Sequence, residues 1–473
     1  MTEVSPVQHG IWINELAGAG SAYHMPLVIR LEAPVDEGAL AKACAALVER
    51  HPLLGMAFAE SDGVPRLVPA QEPPLLSREE RTGAFDLARG PLVRFTLSGD
   101  SLRVVAHHAV FDGRSKEVLV ADLLAAYRGE VLPPLPPSTP QEEAPADEAR
   151  AFWAPRWRAP AEVVVPGGVL RSRRAGEGRV LKFPLEVPGV AGLTRFEVLM
   201  AALHAVLGSY GNAAVVTAID LSTRTPGEEG HIGPFVNELP VFSEPTPGAP
   251  FAEFAGSLRA ELREIYRHRR VPLARAVQGL KPHAALAPVS VSYRRGGGDE
   301  RVDWLAFNGA VRGAFQLQLL DGPAGVAASL RYDAAELPDP EPIVADLRAW
   351  LEKVAADPSI PLPAASRTAV TPQPSPRVAE SPGFSGSAGD ISEMSPNSGS
   401  ADDPLLAGIT AIWEEVLQLS PVEPYDDIFD LGGHSLTITQ IIARMRKRLN
   451  IEIELDDFFD NPTIAGVLGV IRQ

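Results

Sequence analysis

The sequence predicts an α+β protein in two halves, followed by a small helical bundle on a tether. Three observations carry this. Over roughly residues 1–362, amphipathic helical stripes alternate with short strand-like runs, and the pattern restarts after a proline-rich break at Leu132–Pro145. From Pro363 to Asp402 the chain is rich in Pro, Ser and Gly, nearly free of aromatics and without periodicity; such a composition buries too little apolar surface to offset its ordering entropy. Residues 403–473 then show helical stripes and no strand pattern.

In the first half (about 1–165), residues 25–32 and 102–107 read as strands. Residues 38–50 read as a helix with apolar positions 40, 43, 44, 47 and 48 on one stripe, and 115–128 as another helix. In the second half (about 166–362), Thr194 and Glu197 form a capping box ahead of an apolar helix to about Tyr210. Strands follow near 213–219 and 235–242, a helix near 251–267, strands near 288–293, 314–320 and 325–332, and a closing helix at 340–355. The linker, 363–402, is expected to be flexible, with a root-mean-square span of roughly 35 Å. In the bundle, Leu405, Ile409, Ile412, Val416 and Leu417 make one stripe, Ser435–Leu449 a second helix and Thr463–Ile471 a third. A turn at Asp456–Phe459 supplies a fourth. From residue 401 on there are 13 acidic and 5 basic residues, so the bundle is acidic.

The 473 residues are 45% hydrophobic and 22% charged, ordinary for a globular protein. A net charge of −17 argues against nucleic acid or an anionic membrane as main partner, since either calls for a basic face. The single cysteine, Cys44, allows no internal disulfide and suits a reducing compartment; among Leu40, Ala43, Leu47 and Val48 it reads as a buried, inert thiol. The N-terminus has no basic region or apolar run of signal length, and no stretch reaches the ~18 apolar residues of a membrane helix. The expectation is a soluble cytoplasmic protein.

Two segments carry chemistry. Gly432 and Gly433 break the chain just before an apolar helix, placing His434 and Ser435 at its N-terminus. The helix dipole there favours an anion. Ser435 could bear a phosphodiester-linked arm or simply cap the helix, and helix geometry alone leaves the two even. His107-His108-Ala109-Val110-Phe111-Asp112-Gly113 follows one strand and precedes a helix, a position that suits groups facing a cleft. No Cys, Glu or third His stands at ligand spacing, so no metal site is expected. On spacing alone a buried core histidine would be the simpler reading. There is no Gly-x-Ser-x-Gly elbow, and Gly296-Gly297-Gly298 lacks the surroundings of a phosphate loop and reads as a loop tip.

The wider strings decide between these readings. Asp427-Ile428-Phe429-Asp430-Leu431-Gly432-Gly433-His434-Ser435-Leu436, with Asp457-Phe458-Phe459-Asp460-Asn461-Pro462-Thr463-Ile464, closely resembles the peptidyl carrier domains of nonribosomal peptide synthetases. That resemblance implies a four-helix carrier domain over 403–473. Its Ser435 would carry 4'-phosphopantetheine, added from coenzyme A by a separate phosphopantetheinyl transferase, and the arm's thiol would hold an acyl thioester.

His107 to Gly113 matches the HHxxxDG signature of condensation domains, members of the chloramphenicol-acetyltransferase-like superfamily. Ser5-Pro6-Val7-Gln8 with Ile11-Trp12, Glu49-Arg50-His51-Pro52-Leu53-Leu54, and Ile232-Gly233-Pro234-Phe235-Val236-Asn237-Glu238-Leu239-Pro240 resemble further motifs of that family. The implied fold is two acetyltransferase-like lobes in a V-shaped pseudo-dimer, with the HHxxxDG segment at the centre of a tunnel. The implied activity is that of an acyltransferase-type condensation enzyme of natural-product biosynthesis. It would join a carrier-bound acyl or aminoacyl thioester to an amine or hydroxyl, giving an amide or ester. His108 would take a proton from the nucleophile or orient it, Asp112 would order the loop through an ion pair, and His107 would be structural. Gly113 would allow close backbone approach and place an N–H near the developing oxyanion.

The sequence departs from the family at Gly55, where an Arg that pairs with the motif Asp is usual; Arg224 and Arg50 are the candidates to replace it. The aromatic segment between lobes is reduced to Phe152-Trp153 and Trp157, and the late proline motif to Val271-Pro272-Leu273. The resemblance implies as partners an upstream donor carrier, an adenylation enzyme acting in trans, the phosphopantetheinyl transferase, and a small-molecule or carrier-bound acceptor. Its alternatives are a non-catalytic docking domain fused to a carrier, or an epimerisation domain.

Overall fold

Local rules account for most elements of the first lobe. The computed structural model describes residues 2–137, 146–158, 162–172, 174–277, 280, 285–365 and 403–472. After β1 (Thr2–Glu3), α1 (Pro6–Leu16) opens on a Ser5–Gln8 capping box with Pro6 in its first turn. β2 (His24–Arg30) leads to α2 (Glu37–Arg50), capped by Asp36. β3 (Met56–Ser61) and β4 (Val64–Pro69) form a hairpin that the apolar pattern did not announce. Its two-residue turn, Asp62–Gly63, has φ of 52° and 78°, the left-handed pair that suits the twist of a hairpin. β5 (Leu76–Ser77), β6 (Val93–Ser98), β7 (Ser101–His107) and α3 (Gly113–Tyr127) complete the lobe.

The second lobe begins with α4 (Ala146–Trp153), β8 (Val163–Val165), β9 (Gly168–Leu170), β10 (Gly176–Glu177) and β11 (Arg179–Leu185). α5 (Arg195–Ser209) starts on the expected Thr194–Glu197 box, followed by β12 (Val215–Ser222), β13 (Val236–Ser243), α6 (Phe251–Arg267) and α7 (Leu273–Ala276). Next come β14 (Val289–Arg295), β15 (Val302–Asp303), β16 (Ala310–Val311), β17 (Phe315–Gly322), β18 (Gly325–Tyr332) and α8 (Glu341–Ala356). Gly296-Gly297-Gly298 lies just beyond β14.

Two larger sheets organise these lobes. One has six strands in the order β11-β18-β17-β14-β12-β13, with β14 parallel to both its neighbours. The other has five, in the order β15-β2-β7-β6-β5. Its edge strand β15 comes from the second lobe's stretch of chain and pairs Val302 with Ile29 and Asp303 with Val28. Trp304 and Leu305 follow it into the first lobe's core. The cores are separate, as two packed lobes with a cavity between them require. Ala149, Trp153, Val163 and Val165 pack into the second core. By packing, the exchange between cores therefore falls between Tyr127 and Ala149, upstream of the expected position near 165. Cys44 is buried in the first core, and burial pushes its thiol up to about 12, so it is inert.

α9 (Pro404–Leu417), α10 (Ser435–Leu449), α11 (Leu455–Asp460) and α12 (Ile464–Ile471) form the C-terminal bundle around Trp413, Ile438, Ile441 and Phe458. The N-cap of α10 is His434, whose backbone N–H donates to Thr437 Oγ1 at 3.2 Å, so Ser435 is the first helical residue rather than the cap. Thr463 caps α12. The expected linker lies outside the described residues except for 363–365, as do residues 138–145 of the proline-rich break. Among the described residues no helix is long and apolar enough to cross a membrane.

Gly433 sets the approach of α10 to the preceding loop. Its N–H donates to the Ile428 carbonyl at 2.8 Å, and a Cβ there would lie 2.6 Å from both the oxygen and Cγ1 of Ile428. Gly433→Ala is therefore expected to cost the bundle about 1–3 kcal/mol by overpacking. Hydrogen exchange across residues 403–472 should show the loss of protection, and unchanged protection would contradict the close approach.

Candidate active site and carrier attachment site

The HHxxxDG segment runs from the end of β7 through a 3-10 turn at His108–Val110 to the start of α3. His107 is 1% exposed. Its Nδ1 accepts the Ala109 N–H at 3.1 Å, which leaves Nε2–H to donate to Glu15 Oε1 at 3.1 Å. Gln8 Nε2 donates to the Ala109 carbonyl at 3.0 Å, so the opening motif on α1 also holds this turn. His107 thus faces α1 and its loop.

His108 turns the other way, into a cavity of about 640 Å³ lined by both lobes. Its Nδ1 lies 2.8 Å from the Phe111 carbonyl, and only Nδ1–H can donate to that oxygen. Nε2 of the neutral ring therefore keeps its lone pair. The edge of the ring meets Tyr23, with centroids 5.8 Å apart. Burial pushes the imidazole below its ordinary value, opposed by backbone hydrogen bonds and the charge of Asp112. His108 is neutral at pH 7 and able to accept a proton.

Asp112 does not face the cavity as a free carboxylate. It is 3% exposed and caps α3. Its Oδ1 accepts the Ser115 N–H and hydroxyl, both at 2.7 Å, and Arg224 Nη2 at 2.8 Å. Its Oδ2 accepts the Phe235 N–H at 3.0 Å. Arg224 comes from the loop between β12 and β13, so the ion pair crosses between lobes. Its Nη1 donates to the carbonyls of Glu228 and His231, both at 2.7 Å, and its guanidinium stacks on Phe235 at 4.3 Å. Of the two candidates, Arg224 is the partner of Asp112; Arg50 pairs instead with Asp122 at 2.9 Å. Gly113 opens α3, and a Cβ there would touch Arg294 Cδ at 3.4 Å.

Sequence reasoning passed over several groups here. Arg294 donates to the carbonyls of Gly113 at 3.1 Å and Trp304 at 2.7 Å. Lys116 is buried and donates to the carbonyls of Pro26 at 2.8 Å and Trp304 at 3.1 Å, and burial pushes its amine well below the usual range. Asp220 and Glu238 stand opposite each other across β12 and β13, and Arg312 Nη1 lies 3.7 Å from Glu238 Oε2. Burial raises both carboxyls. The available signal was a lone charge inside an apolar stretch, as in Val215–Leu221 and Val236–Val241.

Ser435, His434 and Leu436 line the same cavity as His108. Facing them are Val7 and His9 of α1 and Arg275 of α7. His9 is pushed down to about 4 by burial and by the positive charges of Arg275 and His434. An anion attached at Ser435 would meet the positive end of α10 and the field of Arg275. The donor set therefore fits a phosphodiester.

Residues 1–163 and 187–292 match the family model "Condensation domain", and residues 407–471 match "Phosphopantetheine attachment site". Among curated proteins, the chain is similar to a probable nonribosomal peptide synthetase of Salinispora arenicola, with 30% identity over 341 residues. That alignment covers 60% of this chain and 4% of the relative. Surfactin synthase subunit 2 of Bacillus subtilis is 26% identical over 320 residues, covering 59% of this chain and 9% of that one. The chain thus spans less than a tenth of either relative. Among solved structures, the first condensation domain of the calcium-dependent antibiotic synthetase superposes with a TM-score of 0.62 at 18% identity, over 76% of this chain and 98% of that one. The X-domain from teicoplanin biosynthesis gives 0.59 at 20%, over 76% and 96%. At these identities the structures show the shared fold.

Removing Arg224 leaves Asp112 buried with an uncompensated charge. Arg224→Ala is expected to destabilise the protein by about 3–5 kcal/mol. Chemical denaturation should show this, with Arg224→Lys recovering part of the loss. A midpoint unmoved by Arg224→Ala would mean that the pair carries little of the lobes' stability.

Proposed function

The chain belongs to the condensation-domain family, and from that membership and the phosphopantetheine attachment domain that follows we propose that it forms amide or ester bonds on carrier-bound substrates. The observation that carries this is His108. It sits neutral, with Nε2 free, in a cavity that Ser435 also lines. The fold and the carrier match support the reading alongside it.

In this reading Ser435 bears the 4'-phosphopantetheine of the carrier domain, which supplies a thiol able to hold an acyl group as a thioester. The first turn of α10 and Arg275 hold the phosphate by charge. His108 Nε2 accepts a hydrogen bond from the attacking amine or hydroxyl and takes its proton as the nucleophile adds to the donor thioester carbonyl; the carbon–sulfur bond then breaks and the imidazolium gives that proton to the departing thiolate. Phe111, accepting from Nδ1–H, fixes the ring for this and steadies the imidazolium that results. Asp112 shapes the loop through Arg224 and Ser115 rather than moving a proton. His107 does the same through Glu15. Much of the acceleration comes from holding two tethered reactants in one cavity. The donor arrives on an upstream carrier, an adenylation enzyme acting in trans activates the building block, and a phosphopantetheinyl transferase primes Ser435.

The test is product formation with the primed chain, an upstream carrier-bound donor and candidate amines or alcohols. His108→Ala is expected to lower turnover by about 100-fold or more, the range of a lost acid–base group. Unchanged product would favour a recruitment role instead. Independently, the mass added by the transferase should disappear in Ser435→Ala.

The pH profile follows from His108. The neutral ring is the active form and burial lowers its pKa. With a hydroxyl acceptor, which does not itself titrate in this range, kcat/KM should therefore stay level as pH falls from neutral past the ordinary imidazole value of about 6.5, and drop only at more acid pH. An acid limb at or above 6.5 would argue against His108 as the proton acceptor.

A further inference from the structure

Four of the five basic residues after position 400 are Arg444, Arg446, Lys447 and Arg448, at the C-terminal end of α10 in an otherwise acidic domain. Arg444 and Arg448 pair with Glu415 of α9, while Arg446 and Lys447 reach the tip of the β3–β4 hairpin. Lys447 Nζ reaches Asp62 Oδ1 at 2.7 Å, and Arg446 Nη2 lies 3.6 Å from Glu60 Oε2. The Asp62 carboxyl is held below its usual range by the bond and charge of Lys447, with Arg444 and Arg448 adding to the same field. Nearer the N-terminus of α10, Thr439 Oγ1 donates to the Gly63 carbonyl at 3.0 Å. A Cβ on Gly63 would fall 2.3 Å from the Thr439 carbonyl oxygen, and the φ of 78° independently favours glycine. Two further contacts hold the carrier in place. Leu455 of α11 packs against the first lobe's core as well as its own, and Arg174 of the second lobe pairs with Asp456.

Thr439 is one turn beyond Ser435 on the same side of α10, and Ala443 and Lys447 continue that step along a stripe that winds about 120° round the helix between Ser435 and Lys447. The helix that brings the attachment serine to the cavity is thus the helix that the hairpin reads. We propose that the hairpin tip, Glu60-Ser61-Asp62-Gly63, is the recognition element by which the condensation domain takes its own carrier. The partner chemistry it fits is a carrier helix with a small hydroxyl residue one turn past the attachment serine and cations at its C-terminal end. A carrier whose equivalent helix ends in acidic residues would meet Asp62 and Glu60 with like charge, and a larger residue in place of Thr439 would meet the Gly63 backbone. The inference rests on the reading of residues 403–473 as the carrier.

A test independent of chemistry uses the unprimed full chain carrying Asp62→Cys and Lys447→Cys, treated with a short bismaleimide. Cys44 is buried and does not compete. Intramolecular cross-linking is expected for most of the protein, whereas a control pairing Asp62→Cys with Lys353→Cys on α8 should give none. A yield at the control level overturns the proposal. Adding Gly63→Val should cut the yield about tenfold through overpacking against Thr439; an unchanged yield again overturns it. Because that variant strains the hairpin itself, the charge pair gives a second measure. Lys447→Asp should slow product formation by the primed chain about two- to five-fold, the scale of one exposed ion pair, and Asp62→Lys in the same chain should restore it. No rescue counts against recognition by the hairpin. Cross-linking without any product would leave this docking intact and sink the condensation reading instead.

Discussion

The buried pair of Asp112 and Arg224 is the constraint on which the rest of the site depends. Each lobe has its own core, so the lobes need a tie that is strong only in one arrangement. A carboxylate that accepts four hydrogen bonds and a guanidinium that donates from both terminal nitrogens, both nearly inaccessible to water, supply it. Asp112 also caps α3 and lies four residues beyond His108. The bond that fixes the lobes thus sets the direction from which His108 enters the cavity. Other crossing contacts, among them those from Arg294 to the Gly113 carbonyl, from Lys116 to the Trp304 carbonyl and from Asn308 to the His24 carbonyl, use fixed backbone acceptors and reinforce one registration.

Much of this was legible in the residues. The capping box at Thr194, the stripe of α2 and the double-glycine entry to α10 each follow from local geometry, and the structure places those elements within a few residues of the expected bounds. The histidines and Ser435 stood out because their strings are dense and specific. What the sequence withheld was long-range. Arg224 is 112 residues from Asp112, and nothing in its own neighbourhood marks it as the partner. Arg50 had an equal claim until the structure paired it with Asp122. The short strands β3, β4 and β15 gave little periodic signal, because two to six residues on a small or mixed sheet show too few alternations to stand out. The cavity's charged residues were hidden for a related reason: Asp220 and Glu238 read as incidental until their strands were paired.

The bundle meets the lobes mainly through α10, with Leu455 and Asp456 of α11 adding to the contact. α10 gives Ile438, Ile441 and Met445 to the bundle's core, while elsewhere on its surface it offers a serine, a threonine and a lysine to the lobes. Substrate delivery is therefore built on a rigid element, and the position of its first residue is fixed by contacts made farther along it. Gly433 and Gly63 sit at the two ends of this arrangement, each where a side chain would collide with neighbouring atoms.

β15 carries a further consequence. The second lobe's stretch of chain lends the first lobe the outer strand of its five-stranded sheet, together with Trp304 and Leu305. Cut from that loan, β2 would present a row of unpaired backbone groups beside an uncovered apolar patch, the combination that recruits other chains into mixed sheets. The lobes resemble each other in form, yet they are not interchangeable modules. A designer who wished to recombine halves from different proteins would have to carry residues 299–308 with the first half, or accept an aggregating product.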